Sequence, residues 1–479
     1  MKKGDKIELS VSKYVFEGKG LAKIERDDNG KTGLYTIFVN GGYPRDEVIA
    51  EFTVIKKSYA EARVAEVLKP SPIRTKPRCI HFGVCGGCKQ QDMDYGAQAM
   101  YKQEQVKEIF ERLGGFNEFE MLDIEKSEHI FYYRNKMEFS FADKRWLSKE
   151  EMDLNENIDN SFALGLHIPR MFDKVLDVTE CYLQSETSAG IVNFTRDFFK
   201  AKNSTIYSTK THSGYLRNLI IKLSRKHNQL MVNLVTSEDN EEMMKEYSAE
   251  LLKRFPDITT IVNNVNLKKS QTALGDFEKT YYGDGFIYDS IGGYKFRVSA
   301  NSFFQTNTLQ AEHLYQVALD FAGLKGNETV YDLYSGAGTI SIFVSGKAGK
   351  VYAFESVQPA VDDAEENKKE NNINNVFFYT ADLNKSFLNK LKEESIPSPE
   401  VVIVDPPRSG MNPVTVQDLI KLSPEKIVYI SCNPATQARD IKTLTENGYA
   451  LIKMKPVDMF PHTYHIENVA AIEKLKMVR

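Results

Sequence analysis

Apolar and polar positions follow different patterns in different parts of the chain. Residues 5–11 and 34–39 alternate apolar with polar side chains, as half-buried strands do, and nearby glycines supply turns. Strand patterns continue to about residue 290, for example over residues 219–223 and 229–235. From about residue 329, short continuous apolar runs alternate with helical segments. That alternation is typical of βαβ units in a parallel sheet.

These patterns predict an α/β fold class with three domains. Residues 1–68 predict a small β-barrel of the OB or a related kind, which commonly binds nucleic acids; a barrel that only packs against its neighbours is the alternative. Residues 69–290 open with a linker that has three prolines in 69–77, and they predict a mixed α+β central domain. Residues 291–479 predict a Rossmann-like, doubly wound domain. Its strands are predicted at residues 329–333, 351–354, 376–379, 401–404 and 427–430, and near 450–455 and 468–474.

Composition and charge restrict the class of protein only broadly. The chain has 479 residues, of which 42% are hydrophobic and 27% charged, as in ordinary globular proteins. It shows no apolar run long enough for a membrane span and no signal peptide, so we expect a cytoplasmic protein with no membrane partner. The net charge of −4 argues only weakly against a nucleic-acid partner, because 62 lysines and arginines can still line one face.

Acidic residues follow successive predicted strands of the last domain. The first strand leads into a turn with Gly336 and Gly338, Glu355 ends the second, Asp382 the third and Asp405 the fourth. Side chains at these strand ends line the ligand crevice of an open α/β sheet. The turn lacks the full G-x-G-x-x-G of dinucleotide sites. The pattern therefore favours S-adenosylmethionine over a nicotinamide cofactor.

The five cysteines fall into two groups. Cys79, Cys85 and Cys88 crowd together, Cys181 stands alone, and Cys432 lies far downstream. An odd, small number in so long a chain argues against a secreted disulfide framework. The layout indicates four metal ligands and one reactive thiol. On spacing alone, the four thiolates fit zinc or an iron–sulfur cluster.

Cys432 ends the fifth predicted strand, beside the ligand crevice, and this position favours a reactive nucleophile over a buried structural cysteine. Arg408 or Arg439 is expected to lower the pKa of its thiol. Three side chains in one downstream segment are candidates for a partner base, and the residues alone do not choose among them. They are His462, His465 and Glu467.

Four segments together resemble the RNA 5-methyluridine methyltransferases. They are SCNPATQARD with Cys432, DPPRSG with Asp405, HTYHIENVA with Glu467, and NSFFQTN over residues 301–307. The resemblance covers essentially the whole chain. It implies that Cys432 adds to uracil C6 and that Glu467 removes the C5 proton after methyl transfer. It also implies that Phe303 stacks on the target base, against the alternative of a core phenylalanine. The residues it implies for S-adenosylmethionine are Gln305, Tyr334, Glu355 and Asp405, with Asp382 near the adenine.

The ribosomal-RNA branch of the same family accounts for the remaining features. By resemblance to it, Cys79, Cys85, Cys88 and Cys181 look like the ligands of a [4Fe–4S] cluster with a structural or RNA-positioning role. The first 68 residues look like a TRAM domain, an RNA-binding barrel. The resemblance thus implies RNA as partner, with a uridine of 23S ribosomal RNA as the target and a transfer-RNA uridine as the alternative.

Two further functions compete with this interpretation, and no particular oligomeric state is predicted. The corner Asp405-Pro406-Pro407 is similar to that of amino-group methyltransferases, although Arg408 stands where those enzymes usually have an aromatic residue. A non-catalytic iron–sulfur RNA-binding protein is the other alternative.

Overall fold

The computed structural model describes residues 1–28, 31–147, 149–153, 158–169, 171–269 and 273–476. The strands within these residues form sheets of six, seven, two and eight strands. Within the same ranges, no helix is both long and apolar enough to cross a membrane.

The first sheet occupies the section predicted as a barrel. Its strands are β1 (Lys6–Ser10), β2 (Lys13–Val15), β3 (Lys19–Asp28), β4 (Lys31–Asn40), β5 (Glu47–Ile55) and β6 (Tyr59–Lys69). They lie in the order β1-β5-β6-β4-β3-β2. Every second side chain points to one core, where Leu9, Ala22, Val39, Phe52 and Ala62 from five strands meet. The alternating sequence predicts this burial of one face of each strand.

The proline-rich segment after β6 is held against this sheet by Arg74. The guanidinium of Arg74 forms ion pairs of 2.7 Å with both Asp46 and Asp92 and donates to the Gly41 carbonyl at 2.7 Å. Asp46 is fully buried. The segment predicted as a linker is therefore a fixed joint between the first sheet and the residues that follow.

The next elements serve two different sheets. Helix α1 (Tyr95–Ile109) continues into a π-helical turn over Phe110–Gly114, and the short strand β7 (Glu120–Met121) joins the edge of the C-terminal sheet. The other elements of the middle section form the seven-stranded sheet and its helices. They are β8 (Lys136–Ala142), α2 (Lys149–Asp153), β9 (Ala163–Ile168), β10 (Met171–Asp177), α3 (Glu186–Ala201), β11 (Leu216–Leu223), β12 (Leu230–Thr236), α4 (Glu241–Arg254), β13 (Thr260–Val265) and β14 (Phe277–Tyr282).

The seven-stranded sheet is buried on both faces at its centre. Neighbouring residues of one strand point to opposite faces. On one face, Val232 and Ile261 pack in the core that includes α3 and α4. On the other face, Met231 and Val262 pack in the core of the C-terminal domain. This sharing explains why β12 is almost continuously apolar over Leu230–Val235 and shows no alternation.

The C-terminal section is a doubly wound α/β domain, as predicted. Its elements are β15 (Phe286–Ile291), β16 (Tyr294–Ser299), α5 (Thr308–Ala322), β17 (Thr329–Leu333), α6 (Thr339–Ser345), β18 (Lys350–Glu355), α7 (Gln358–Glu370), β19 (Val376–Thr380), α8 (Leu388–Glu393), β20 (Val401–Val404), α9 (Pro413–Leu422), β21 (Lys426–Ser431), α10 (Pro434–Thr445), β22 (Tyr449–Val457) and β23 (Glu467–Lys474). The sheet order is β19-β18-β17-β20-β21-β23-β22-β7. Strands β17 to β21 are parallel, whereas β23 runs antiparallel to β21.

A buried ion pair connects helix α1 to the loop between β22 and β23. The ammonium of Lys102 donates to Asp458 at 2.6 Å and to the Phe460 carbonyl at 3.1 Å. The side chains of Lys102 and Asp458 are 1% and 0% exposed, so neither charge has water as an alternative partner. Residues 458–466, named the 458–466 loop below, are thereby anchored to the N-terminal half of the chain.

We predict that Lys102→Met destabilises the protein by about 3–5 kcal/mol, because it leaves the Asp458 carboxylate buried without its cation. Thermal unfolding followed by circular dichroism measures the effect. Lys107→Met on the same helix is the control. Its ion pair with Glu111 is long and exposed, so its loss should change stability by less than about 1 kcal/mol. Equal unfolding temperatures for the two variants would contradict this account of Lys102.

Candidate active site

Three predicted site residues lie side by side at the carboxyl end of the C-terminal sheet. In the parallel register, Leu333 pairs with Phe354 on one side and with Val404 on the other. The next residues of these three strands are Tyr334, Glu355 and Asp405. The structure thus brings them to one level of the crevice where open α/β sheets bind ligands.

Glu355 accepts hydrogen bonds from the turn that follows β17. Its Oε2 accepts from the Gly336 amide at 3.0 Å, and its Oε1 accepts from the amides of Ser356 and Val357 at 2.7 and 2.9 Å. Gly338 has a φ of +78°, and a Cβ there would stand 2.6 Å from the Phe378 ring. The turn therefore needs glycine at this position, and it fixes the Glu355 carboxylate at the crevice.

Two buried carboxyls lie at the base of the crevice. Burial raises the pKa of Asp405 to about 7. Burial also raises the pKa of Asp332 to about 7, with Asp405 and Glu355 adding to the effect and a hydrogen bond from Ser341 opposing it. The Oδ1 atom of Asp332 has no hydrogen-bond partner among the described residues. Asp332 is not among the site residues that the sequence predicts, and it lies one residue before the end of β17.

Gln305 and Asp382 occupy different environments. Gln305 lies just before α5, where Asn135 donates to its carbonyl at 2.7 Å and its side chain bonds to the Tyr315 hydroxyl. Tyr315 in turn bonds to Thr339 at the start of α6, so Gln305 faces the same turn as Glu355. Asp382 lies two residues beyond β19, and its side chain is 44% exposed beside Lys385. The structure places Asp382 at the rim of the crevice.

Cys432 and Glu467 lie directly opposite each other on neighbouring strands. In the antiparallel register of β21 and β23, Ser431 pairs with Asn468. Cys432 is the residue after Ser431 and Glu467 is the residue before Asn468, so Cys432 faces Glu467. Directly opposed residues have Cβ atoms about 4.5–5.5 Å apart. Two residues 35 positions apart in sequence thus become neighbours in the same crevice.

The surroundings of Cys432 keep its thiol protonated. Burial raises its pKa to about 11, and the carboxyls of Glu467 and Asp405 add to the rise. Arg408 donates a hydrogen bond to the sulfur and lowers the pKa. Arg439 instead binds Asp440 and the Ser409 carbonyl. Of the two arginines left open by the sequence, Arg408 is therefore the one that acts on the thiol.

Arg408 is held in place by the residues around Cys432. Asn433 caps helix α10 through the Ala435 amide and also donates to the Arg408 carbonyl at 3.1 Å. Thr436 donates to the same carbonyl at 3.3 Å. The guanidinium of Arg408 donates to His465 at 3.3 Å. These bonds join the loops after β20 and β21 into one unit.

The three base candidates differ in their positions. Burial lowers the pKa of His462 and of His465 to about 4, so both imidazoles are neutral at pH 7. His462 is buried against Gln98 and Phe131, and His465 binds Arg408. Burial, with the nearby Asp405 charge, raises the pKa of Glu467 well above its usual value. Among the three, Glu467 is the residue whose charge acts on Cys432.

Phe303 projects from a turn that is supported from beneath. Its ring is 68% exposed, so it is not the core phenylalanine that was the alternative. The buried Lys222 ammonium donates to the carbonyls of Ser299 and Ser302 at 2.7 and 2.9 Å. Asn264 donates to the Asn301 side chain at 2.6 Å. An exposed aromatic ring on a fixed turn can stack against a planar ligand.

The four remaining cysteines line a single cavity between the start of the middle section and β10. Cys79, Cys85, Cys88 and Cys181 all face it, and each is a free, half-buried thiol. The Gln91 side chain donates to the Cys88 sulfur at 3.3 Å, and the Gly87 amide donates to the Cys85 sulfur at 3.3 Å. In the part of the chain that the structure describes, no group of three or more His, Cys, Asp or Glu side chains is arranged to hold a metal ion.

The cysteine segment also contacts the 458–466 loop. The amides of Lys89 and Gln90 donate to the His462 carbonyl at 2.8 and 3.0 Å. The His462 amide in turn donates to the side-chain oxygen of Gln98 at 2.8 Å. Tyr133 donates to the Pro461 carbonyl at 3.0 Å. The loop that leads into Glu467 is thus fixed by residues next to the cysteines.

Comparison with known proteins gives consistent matches. The family model described as tRNA (Uracil-5-)-methyltransferase matches residues 220–475. The chain is 40% identical over 476 residues to an uncharacterized RNA methyltransferase of Chlorobaculum tepidum, covering 99% of this chain and 97% of the relative. It is 40% identical over 474 residues to an uncharacterized RNA methyltransferase of Porphyromonas gingivalis, and the match covers 97% of this chain and 99% of the relative.

A solved structure is similar along nearly the whole chain. It is the crystal structure of Pyrococcus abyssi tRNA (uracil-54, C5)-methyltransferase in complex with S-adenosyl-L-homocysteine. The two chains superpose with a TM-score of 0.72 at 27% identity, and the match covers 97% of this chain and 100% of the other.

We predict that alkylation of Cys432 by iodoacetamide accelerates roughly tenfold per pH unit up to about pH 11, because only the thiolate reacts and its pKa is raised. Mass spectrometry of the Cys432 peptide measures the rate. In Arg408→Gln the thiol pKa should rise further, so alkylation at a given pH should be slower. Arg439→Gln is the matched control and should leave the pH profile unchanged. A fast reaction at pH 7 in the unaltered protein would contradict the arrangement.

Proposed function

Since the chain belongs to the tRNA (uracil-5-)-methyltransferase family, we propose that it methylates C5 of a uridine in RNA, with Cys432 as nucleophile and Glu467 as base. The observation that carries the proposal is the antiparallel register that sets Cys432 opposite Glu467 at the mouth of the crevice. An RNA methyltransferase of this family uses S-adenosylmethionine as methyl donor.

The two side chains divide the reaction between them. C5 of uracil is a poor nucleophile until a thiolate adds to C6 and makes an enolate. After losing its proton, Cys432 forms the bond to C6, and C5 then takes the methyl group. Glu467 removes the C5 proton, the electron pair of that bond forms the C5–C6 double bond, and the thiolate leaves C6. The raised pKa of Glu467 makes its carboxylate a stronger proton acceptor than an exposed glutamate.

Arg408 assists the addition step. Its guanidinium bonds to the Cys432 sulfur and lowers the thiol pKa, against the effects of burial and two carboxyls. The neutral imidazole of His465 accepts from the same guanidinium and orients it. The charge of Arg408 therefore stabilises the thiolate when it forms and when it is released.

The crevice fits S-adenosylmethionine, which supplies an electrophilic methyl group when bound. Glu355 ends the second strand of the sheet, where a carboxylate can accept from ribose hydroxyls, and its Oε2 has one hydrogen bond and keeps acceptor capacity. We propose that Tyr334, Asp405 and Gln305 also contact the methyl donor, with Asp382 at the rim of the crevice. The unpartnered Oδ1 of Asp332 adds an acceptor at the base of the crevice.

The exposed ring of Phe303 is proposed to stack on the target uracil. The ring atoms C5 and C6 are covered in a stacked helix, so the uridine has to be unpaired or flipped out. Lys222 and Asn264 hold the turn that carries Phe303, so its position does not depend on the RNA. A preformed platform reduces the entropy lost when the base binds.

For the substrate we propose a uridine of 23S ribosomal RNA, supported by the cysteine set and by the N-terminal sheet as a TRAM-like RNA-binding barrel. A transfer-RNA uridine is the second candidate, and a specific observation favours it. The archaeal enzyme that matches 97% of this chain acts on uracil-54 of tRNA, so neither section of the chain is confined to ribosomal-RNA enzymes.

We further propose that Cys79, Cys85, Cys88 and Cys181 hold a [4Fe–4S] cluster. What supports the proposal is that all four thiols face one cavity, as the four cysteine ligands of such a cluster must. Zinc held by the same four cysteines is the alternative. The cluster would join the 79–88 segment to Cys181 next to the 458–466 loop. The addition and elimination steps need no electrons, so the proposed role is structural.

We predict that Glu467→Gln accumulates a covalent protein–RNA adduct carrying the new methyl group, because the thiolate cannot leave until the C5 proton is removed. Denaturing gels with radiolabelled methyl donor and either 23S ribosomal RNA or a tRNA pool detect the adduct. We expect it with ribosomal RNA. A trapped tRNA instead would identify the second candidate substrate.

Cys432→Ala is the companion variant and should form neither adduct nor methylated RNA while still binding S-adenosylhomocysteine in a calorimeter. Methylation retained by Cys432→Ala would indicate an amino-group methyltransferase built on the Asp405-Pro406-Pro407 corner. Absence of cofactor binding in the unaltered protein would indicate a non-catalytic RNA-binding protein.

We predict that the anaerobically purified protein is brown and contains iron and sulfide, and that Cys85→Ser loses both, because it removes one of four proposed ligands. Metal analysis and visible absorbance measure the change. Cys432→Ser is the matched control and should keep colour and iron. A colourless protein that contains zinc would refute the iron–sulfur assignment.

A further inference from the structure

Four side chains beside the cysteine cavity form a compact group that the proposed reaction does not use. They are Arg78, Phe131, Tyr132 and Tyr182, named the aromatic platform here. The Arg78 guanidinium lies 4.1 Å from the centre of the Tyr182 ring, 5.2 Å from that of Tyr132 and 5.5 Å from that of Phe131. Three rings thus surround one cation at the protein surface.

The Arg78 guanidinium is held in position at an exposed site. Arg78 is exposed, and of the three rings that of Tyr182 lies nearest to its guanidinium. Its Nη2 donates to the Tyr132 hydroxyl at 3.0 Å, and that hydroxyl donates to the exposed Glu186 at 3.3 Å. The rings and the hydroxyl fix the position of the guanidinium, and its planar shape lets it stack with another planar group.

The backbone beneath the platform is held in a conformation that bulky residues rarely adopt. Tyr132 has a φ of +55°. For an aromatic residue this left-handed conformation costs free energy and persists only where the surroundings impose it. The Tyr132 amide donates to the Tyr182 carbonyl at 2.7 Å, and the Arg134 amide donates to the Leu183 carbonyl at 2.8 Å. Neighbouring segments therefore fix the direction of the Tyr132 ring.

The platform lies close to the candidate active site. The Phe131 ring packs 4.5 Å from the His462 ring in the 458–466 loop, which leads into Glu467. Four residues after Phe131, the Asn135 amide donates to the Thr306 carbonyl at 2.8 Å, next to Gln305. Four residues of chain span at most about 14 Å. A strand of RNA with one nucleotide in the crevice can therefore reach the platform within a short distance.

We propose that the aromatic platform binds an unpaired nucleobase of the same RNA strand, stacked on the Arg78 guanidinium. This inference rests on the proposed function, since it supplies a second base-binding position next to the target uridine. Unpaired RNA bases bind proteins through aromatic rings and arginine planes, and a cation beside them also attracts the phosphates. A flipped uridine needs such support, because its neighbours lose their stacking partner when it leaves the strand.

The test compares Arg78→Lys with the unaltered protein in binding a fluorescein-labelled oligouridine of about 12 nucleotides. Fluorescence anisotropy is measured without methyl donor and over a series of salt concentrations. Lysine keeps the positive charge of arginine but lacks its planar guanidinium group. We therefore expect binding weakened about tenfold or more with an unchanged salt dependence, since stacking contributes 1–3 kcal/mol, in order of magnitude, per base.

Arg254→Lys is the matched control, an exposed arginine at the end of α4 that should leave binding unchanged. Arg78→Lys that binds as tightly as the unaltered protein would overturn the proposal. The proposal would also be overturned if only Arg78→Ala, and not Arg78→Lys, weakened RNA binding and reduced its salt dependence. That result would indicate a phosphate contact without stacking. Failure of the unaltered protein to bind the oligomer would overturn it as well. The binding measurement does not depend on methyl transfer. A missing Glu467→Gln adduct would therefore count against the proposed function without changing the result for Arg78.

Discussion

The antiparallel pairing of β23 with β21 is the constraint on which the candidate site depends. Parallel strands bring the residues at their carboxyl ends, here Glu355 and Asp405, to one edge of the sheet. A strand that runs the other way brings its first residue, Glu467, to that same edge. A slip of one residue would turn Glu467 to the opposite face of the sheet and away from Cys432. Such a slip would also exchange two packed faces, because Val469 and Ala471 lie in one hydrophobic core and Ala470 lies in another.

The loop before Glu467 is held by residues from the first quarter of the chain. Lys102 satisfies Asp458, Gln98 binds His462, and the amides after Cys88 bind the His462 carbonyl. The first sheet is joined to the same region, because Tyr14 accepts from Gln90 at 2.8 Å. A base on an unsupported loop would vary in distance from the thiol. Here contacts from the first sheet, the cysteine segment and helix α1 all limit that variation.

The sequence predicted most of the architecture, because periodic apolar runs carry the information directly. Strands β17 and β20 were predicted with their observed bounds, and β18, β19 and β21 to β23 within about two residues, whereas the edge strand β7 was not predicted. The carboxyl-edge positions of Glu355 and Asp405 followed from strand polarity. The Lys102–Asp458 pair had no sequence signal, because its members lie 356 positions apart and each looks like an ordinary surface charge. The choice of Arg408 over Arg439 likewise needed the structure, since it depends on which side chain points at the sulfur.

The acidic groups of the crevice explain how it can favour a cationic ligand. Asp332, Asp405 and Glu467 all have raised pKa values, chiefly because burial disfavours their charged forms. Each carboxylate that ionises also disfavours ionisation of its neighbours. A sulfonium in the crevice would have the opposite effect, because a positive charge at short range in a low-dielectric site stabilises carboxylates. Binding of the methyl donor would then lower the pKa of Glu467, so that the base is ionised when the C5 proton has to be removed. The methyl donor and the proposed base would thus be coupled by electrostatics. Arg408 likewise lowers the pKa of the Cys432 thiol and so favours its charged form.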